Sequence, residues 1–110
     1  MKPPPTPTTD KRGFTRLAVD VPVEFTSRDS WEKVPGVAKD ISLGGMFIET
    51  ASPAAFGVAV LVGFTPPGQR KPMLVSGTVR WSDKSGMGVQ FGLLGARETH
   101  AITEWTRAAR

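Results

Sequence analysis

The seven residues from Lys39 to Gly45 combine a carboxylate (Asp40), a hydroxyl (Ser42) and two adjacent glycines, with apolar residues on both sides. This composition predicts a tight connection between two strands, because glycine tolerates unusual backbone angles and Asp and Ser side chains bond to nearby backbone amides. The same turn could instead hold a polar ligand, since backbone N–H groups would lie beside the carboxylate and the hydroxyl. These residues alone leave both interpretations open.

A second group of polar residues lies near the N-terminus and is basic. The net charge of the chain is +4, and residues 1–16 contain four basic side chains against one acidic side chain, Asp10. Arg12 and Arg16 are four positions apart with Gly13 between them, so a bent loop could bring both guanidinium groups to one anionic ligand. The cluster is also compatible with a solvated basic tail.

The elements that must position these residues are short strands. Apolar and polar residues alternate through residues 17–26, 73–81 and 86–91, which is typical of half-buried strands. Residues 58–64 are largely apolar and predict a strand that is buried on both faces. Residues 95–110 change to helical spacing and predict one amphipathic helix.

Together with the two strands around the central turn, these segments give about six strands and one terminal helix. They predict an all-β fold, a small antiparallel barrel with the helix packed across it. Pro22 suggests an edge strand or a bulge, and Trp81 is expected on the same face of its strand as Val79. We expect a flexible leader over residues 1–10, which are rich in Pro and Thr, and one domain over residues 11–110.

Taken in order, these features resemble the PilZ domain family. That family has an Arg-x-x-x-Arg motif before its first strand and an Asp/Asn-x-Ser-x-x-Gly motif at a later turn. Here the first motif spans Arg12–Arg16 and the second spans Asp40–Gly45. The resemblance extends to residues 77–81 and 86–91. It implies a six-stranded antiparallel PilZ-type β-barrel with one C-terminal α-helix, which binds the bacterial second messenger cyclic di-GMP.

The resemblance also implies how the ligand is held. Cyclic di-GMP is a dianion with two guanines, and the planar fork of arginine matches both a phosphate and the O6/N7 edge of guanine. Arg12 and Arg16, with Arg16 exposed in the free protein, would clamp the ligand and order the N-terminal loop, and a partner protein would recognise the altered surface. Asp40 would accept a hydrogen bond from guanine, Ser42 would add a hydroxyl contact and Gly45 would let the backbone approach. The expected ligand-binding residues are Arg12, Arg16, Asp40, Ser42 and Gly45, with Lys11 and Gly44 as secondary candidates.

Other function classes find less support in the sequence. We expect no enzyme, catalytic residue, metal site or cofactor, because the single histidine, His100, lies in the predicted helix and there is no cysteine. A nucleic-acid-binding barrel would need exposed aromatic side chains, whereas Phe25, Phe47, Phe64 and Phe91 fall at positions predicted to be core. We expect no membrane insertion and a cytoplasmic location, because no apolar run reaches about 18 residues and the N-terminus has no apolar signal region.

One alternative function stays open within the same fold. A PilZ-fold adaptor could contact a protein partner without binding nucleotide, since a fold does not by itself determine a function. In either case we expect an unidentified protein effector. The sequence is compatible with a monomer or with a ligand-dependent dimer, and with binding of a single cyclic di-GMP or of an intercalated pair.

Overall fold

The computed structural model describes residues 16–28 and 30–108, and these residues form six strands and one helix. Lys11, Arg12 and the expected leader over residues 1–10 lie outside the described residues. The elements are β1 (Leu17–Ser27), β2 (Val34–Ser42), β3 (Gly45–Glu49), β4 (Ala59–Phe64), β5 (Met73–Asp83), β6 (Gly86–Phe91) and α1 (Ala96–Ala108).

The six strands close into a barrel in the order β1-β2-β3-β6-β5-β4, and all neighbouring pairs are antiparallel. Pairing of β4 with β1 closes the ring, so none of the described strands is left at the edge of a sheet. The barrel and the C-terminal helix confirm the predicted fold class.

Inward-facing side chains from the strands fill the barrel, and α1 packs against it. Ile102 of α1 is fully buried, and the Trp105 ring lies 6.3 Å from the Phe64 ring. The helix carries Glu98 in its first turn and Arg107 in its last turn, which matches the direction of the helix dipole. The largest fully buried side chains of the strands are Ile41, Ile48, Val62, Met73, Val79 and Met87.

Register shifts in three strands change which side chains face outward. A β-bulge places an extra residue in one strand and bends it, so the alternation of side chains is interrupted at that point. Such a shift is typical next to functional sites, where it redirects a side chain. The shifts lie between Ala18 and Val21 in β1, between Ala38 and Asp40 in β2, and between Val79 and Trp81 in β5.

The prediction that Trp81 shares the inward face of Val79 is wrong. The shift in β5 places Trp81 opposite Gly88, where it is half-buried outside the core. Phe47 was also expected in the core, but the alternation in β3 turns Ile48 inward and leaves Phe47 half-buried on the other side. Two aromatic rings therefore lie on the outside of the barrel.

β4 is buried on one face only, so the prediction of a strand buried on both faces is wrong. Val62 is fully buried, whereas Leu61 is 41% exposed. Apolar content alone did not reveal this, because both faces of the strand carry apolar residues. β1 is not an edge strand in the closed barrel, but Pro22 directly follows the register shift between Ala18 and Val21, in keeping with the predicted bulge.

Candidate functional site

Asp40 lies at the register shift of β2 and connects three strands. Its Oδ1 atom accepts a hydrogen bond from the backbone N–H of Phe47 in β3 at 3.1 Å. The same oxygen accepts a hydrogen bond from Nη1 of Arg16, which directly precedes β1, and the two side chains form an ion pair. The Asp40 side chain is 18% exposed, so this pair is partly shielded from water.

The contact between Arg16 and Asp40 joins the two sequence motifs. Pairing of β1 with β2, in which Leu17 lies opposite Ile41, brings together two residues that are 24 positions apart in the chain. We expected Arg16 to be exposed, but its side chain is only 19% exposed. The reason is that the ion pair holds the guanidinium against the barrel. Arg12 and Lys11, the other expected basic contacts, lie outside the described residues.

Hydrogen bonds to the Ser42 side chain and to the backbone of β6 fix the turn between β2 and β3. Oγ of the buried Ser42 accepts a hydrogen bond from the N–H of Gly44 at 3.0 Å, which closes the turn. The carbonyl oxygen of Gly44 accepts a hydrogen bond from the N–H of Phe91 at 2.9 Å. Ser42 and Gly44 therefore have structural roles in the turn, in addition to the ligand contacts that the motif implies.

Gly45 is required by a close approach of β3 to β6. A Cβ atom at this position would lie 2.1 Å from the carbonyl oxygen of Val89, a distance that real Cβ atoms do not reach. Neither Gly44 nor Gly45 has a positive φ; the glycines of the described residues that do are Gly57 and Gly68. Gly45 thus serves close packing of two strands, and neither glycine adopts the positive φ that the sequence suggested.

Next to Asp40, the rings of Phe47 and Trp81 stack on the outer face of the barrel. Their centroids are 5.2 Å apart and their planes differ by 18°. Both rings lie across β6, where a Cβ atom at Gly88 would be 2.5 Å from Nε1 of Trp81 and one at Gly86 would be 2.9 Å from Cζ of Phe47. We call this pair of rings the aromatic platform.

The aromatic platform was not predicted from the sequence. The signal was present in Gly86-Met87-Gly88, since alternate glycines remove the side chains from one face of a strand. Aromatic residues on the two neighbouring strands can then lie across that face. The register shift in β5, which places Trp81 on this face, has no comparable signal in the sequence.

Two further basic side chains lie on the strands around these groups, and each has a polar partner. Lys39 pairs with Asp20 across β1 and β2, and hydrogen bonding to this carboxylate raises the pKa of Lys39. Nε of Arg80 donates a hydrogen bond to Oε1 of Gln90 at 2.6 Å. Gln90 lies opposite Gly45 in the pairing of β3 with β6, so Arg80 is held close to the end of the second motif.

These groups can recognise a ligand that combines a planar ring with polar or anionic atoms. The guanidinium of Arg16 provides donors, the carboxylate of Asp40 provides acceptors, and a planar group can stack on the aromatic platform. Among residues 16–28 and 30–108, no three His, Cys, Asp or Glu side chains are placed to hold a metal ion. Within the same residues, α1 is too short and too polar to cross a membrane.

The comparisons with known proteins concern the family and the fold. A model of the PilZ domain family matches residues 10–108. The PilZ domain of CeSA from a cellulose-synthesizing bacterium has a similar structure, with a TM-score of 0.69 and 17% identity over 86% of this chain and 96% of that chain. The Bacillus subtilis inhibitor of motility MotI/DgrA is similar over 91% of this chain, with a TM-score of 0.75 and 16% identity. This chain covers 51% of MotI/DgrA. None of the curated proteins matches it in sequence.

The fold is a small antiparallel barrel that carries the Arg16–Asp40 ion pair and the aromatic platform on its outer face. The family match spans most of the chain, and the chain belongs to the PilZ domain family. PilZ domains are receptor and adaptor domains, and they generally bind cyclic di-GMP, although some PilZ proteins bind no nucleotide.

Proposed function

We propose that this protein binds cyclic di-GMP and relays the signal to a protein effector. The observation that carries the proposal is the ion pair of Arg16 with Asp40 beside the aromatic platform of Phe47 and Trp81. The ion pair joins one residue from each family motif. The platform adds a surface for a guanine ring, and stacking of a base on an aromatic side chain contributes about 1–3 kcal/mol.

Binding would proceed by exchange of polar partners at Asp40. The guanidinium of Arg16 forms two parallel hydrogen bonds with a phosphate more readily than lysine could, because its donors are fixed in a plane. When Arg16 turns to the phosphate, the Asp40 carboxylate becomes available to the N–H donors on the edge of guanine. Asp40 keeps its hydrogen bond from the backbone of Phe47 during this exchange, so the carboxylate stays in position.

Arg12 would supply the second guanidinium, with Lys11 as an additional positive charge. The dianion would hold the guanidinium groups of Arg12 and Arg16 together and would order the residues that precede Arg16 against the barrel. The effector would recognise this ordered surface. A receptor of a bacterial second messenger acts in the cytoplasm, and we place the protein there.

The first test is calorimetric titration of the protein with cyclic di-GMP, with GTP and cyclic AMP as control ligands. We expect selective binding of cyclic di-GMP that Arg16→Ala weakens by at least about 100-fold, a loss of about 2.7 kcal/mol. Arg70→Ala is the matched control. It removes an exposed arginine in the loop between β4 and β5, and this loop enters β5 at Met73, about 26 Å along the strand from Trp81 at 3.3 Å per residue.

Two outcomes would contradict the proposed function. No heat and no shift in melting temperature at saturating cyclic di-GMP would favour a PilZ-fold adaptor that binds no nucleotide. That second candidate has a specific observation in its favour, since Ser42 and Gly45 have structural roles that would retain them without a ligand. Equal weakening in Arg16→Ala and Arg70→Ala would indicate that only the net charge matters.

A further inference from the structure

The outer face of β4 and of its neighbours β1 and β5 forms an apolar groove that the proposed function does not use. The groove has a volume of about 830 Å³. Leu61 and Leu74 line it and are 41% and 61% exposed. Gly63 lies between them in the sheet, opposite Leu74 on one side and Glu24 on the other, and its missing side chain deepens the groove.

The groove is centred on β4, a strand that contributes no residue to the candidate ligand site. In the ring order β1-β2-β3-β6-β5-β4, β4 is three strands away from β3 in both directions. β3 carries Phe47 of the aromatic platform, whereas β4 carries Leu61 and Gly63 of the groove. β5 contributes to both, but Leu74 of the groove lies seven residues before Trp81 of the platform. A partner centred on β4 therefore leaves the aromatic platform uncovered.

The same face also carries a protruding side chain. Trp31, in the loop between β1 and β2, lies at the rim of the groove and is 97% exposed. Exposure of a large apolar side chain to water is unfavourable. A tryptophan that inserts into an interface buries about 150–250 Å² of its surface. This face can therefore be complementary to a second copy of itself. When two copies are related by a two-fold axis, Trp31 of each copy faces the groove of the other.

The charges on this face have the same self-complementary character. Glu24 and Lys33 both line the groove, and neither forms an ion pair with a described residue. A partner with a charge of one sign would attract one of these residues and repel the other. In a symmetric pair of identical chains, Glu24 of each copy can face Lys33 of the other, so both charges find a partner.

We propose that this groove is the interface of a homodimer in which Trp31 of each protomer inserts into the groove of its partner. The interface uses side chains only, since all six strands already have both neighbours in the closed barrel. Two inserted indoles and the walls that receive them place the buried area below about 1,200 Å², at the weak end of specific interfaces. The dimer does not depend on the binding of cyclic di-GMP.

The proposal is tested by sedimentation equilibrium of the ligand-free protein between about 10 and about 500 µM, a range suited to a weak dimer. We expect the average mass to rise toward twice the monomer mass. Trp31→Ser and Leu74→Ser should each lower the association constant at least about tenfold. Leu93→Ser, at a leucine that is 100% exposed outside the groove, should leave it unchanged, and so should Arg16→Ala at the ligand site.

Charge reversal tests the symmetric arrangement. Glu24→Lys alone and Lys33→Glu alone should each remain monomeric, because each places like charges opposite each other in both contacts. An equimolar mixture of the two variants should form a heterodimer, in which both contacts join opposite charges. A monomer at every concentration, a dimer that Trp31→Ser does not weaken, or a mixture that stays monomeric would overturn the proposal.

Discussion

In the proposed function, Asp40 is the residue at which the fold and the ligand would compete for the same carboxylate. Its Oδ1 accepts hydrogen bonds from both Arg16 and the backbone of Phe47, so a ligand must use the second oxygen or replace Arg16. The sequence identified both Asp40 and Arg16 as candidates. It could not show that they contact each other, because their contact depends on the register of β1 and β2 and on the shift at Asp40.

Substitutions of Asp40 should separate its two roles. Asp40→Asn keeps an oxygen for the N–H of Phe47 and loses the charge that pairs with Arg16, so we expect unfolding free energy to fall by about 1 kcal/mol. Asp40→Ala also leaves the N–H without this acceptor and should cost about 2–3 kcal/mol. Urea unfolding followed by circular dichroism measures both. Equal losses would show that the hydrogen bond to Phe47 does not contribute to stability.

At the scale of elements, β6 determines where the aromatic platform lies. Its outer face has no side chain at Gly86 or Gly88, and the rings of Phe47 and Trp81 from β3 and β5 cover that face. The sequence predicted the strands themselves, because alternation is a local signal. The predictions for Trp81 and for the outer face of β4 were wrong. A register shift and the burial of a strand's outer face depend on neighbouring strands in the fold, which the local sequence does not show.

A side chain at Gly88 should displace the platform. In Gly88→Ala the added Cβ would lie 2.5 Å from Nε1 of Trp81, so the indole must move. We expect a changed near-ultraviolet circular dichroism spectrum, a stability loss of about 1–3 kcal/mol and weaker binding of cyclic di-GMP. Gly92→Ala is the control, because its nearest atom would be Oγ of Ser76 at 3.5 Å. An unchanged spectrum in Gly88→Ala would contradict the stacked geometry.

The turn between β5 and β6 should make a small pH-dependent contribution to stability. Oδ1 of Asp83 accepts hydrogen bonds from Oγ and N–H of Ser85, at 2.7 and 2.9 Å, and these lower the pKa of Asp83. Because the pKa is lower in the folded state, the contribution is present above the unfolded value of about 4 and is lost as pH falls through the folded pKa.

Titration of Asp83 by NMR can check this effect. Ser85→Ala removes the bond from the hydroxyl and keeps the backbone N–H, so we expect the pKa of Asp83 to rise toward its ordinary value. Ser76→Ala, at an exposed serine in β5, should leave this pKa unchanged. A folded pKa of Asp83 at or above the ordinary value of an aspartate would be inconsistent with these hydrogen bonds.

At the scale of the whole molecule, the barrel interior should distinguish adjacent positions of one strand. Val62→Asp places an unpaired charge in the core and should reduce the unfolding free energy by more than about 4 kcal/mol, a large part of the roughly 5–15 kcal/mol that stabilises a native domain. Leu61→Asp changes the exposed neighbour in β4 and should leave the fold intact. Thermal melts of the two variants measure the difference. Similar melting temperatures would contradict the assignment of inward and outward faces.

The barrel as a whole could be predicted from the sequence, since strand alternation, turn residues and the change to helical spacing all indicate one architecture. The ligand site could be predicted only in part. Its motif residues stand out in the sequence, whereas the platform comes from strands that are far apart in the chain and meet only when the ring closes.

The strand order has a consequence for how a ligand acts on the protein. Arg16, Asp40, Phe47 and Trp81 belong to or directly precede β1, β2, β3 and β5, and β6 lies beneath the two rings. A ligand bound across these residues would bridge five of the six strands of the barrel. Its site would be lost when neighbouring strands of this set separate. Ligand binding and closure of the barrel would therefore be thermodynamically linked. A ligand at 100 times its Kd would add about 2.7 kcal/mol to the free energy of unfolding.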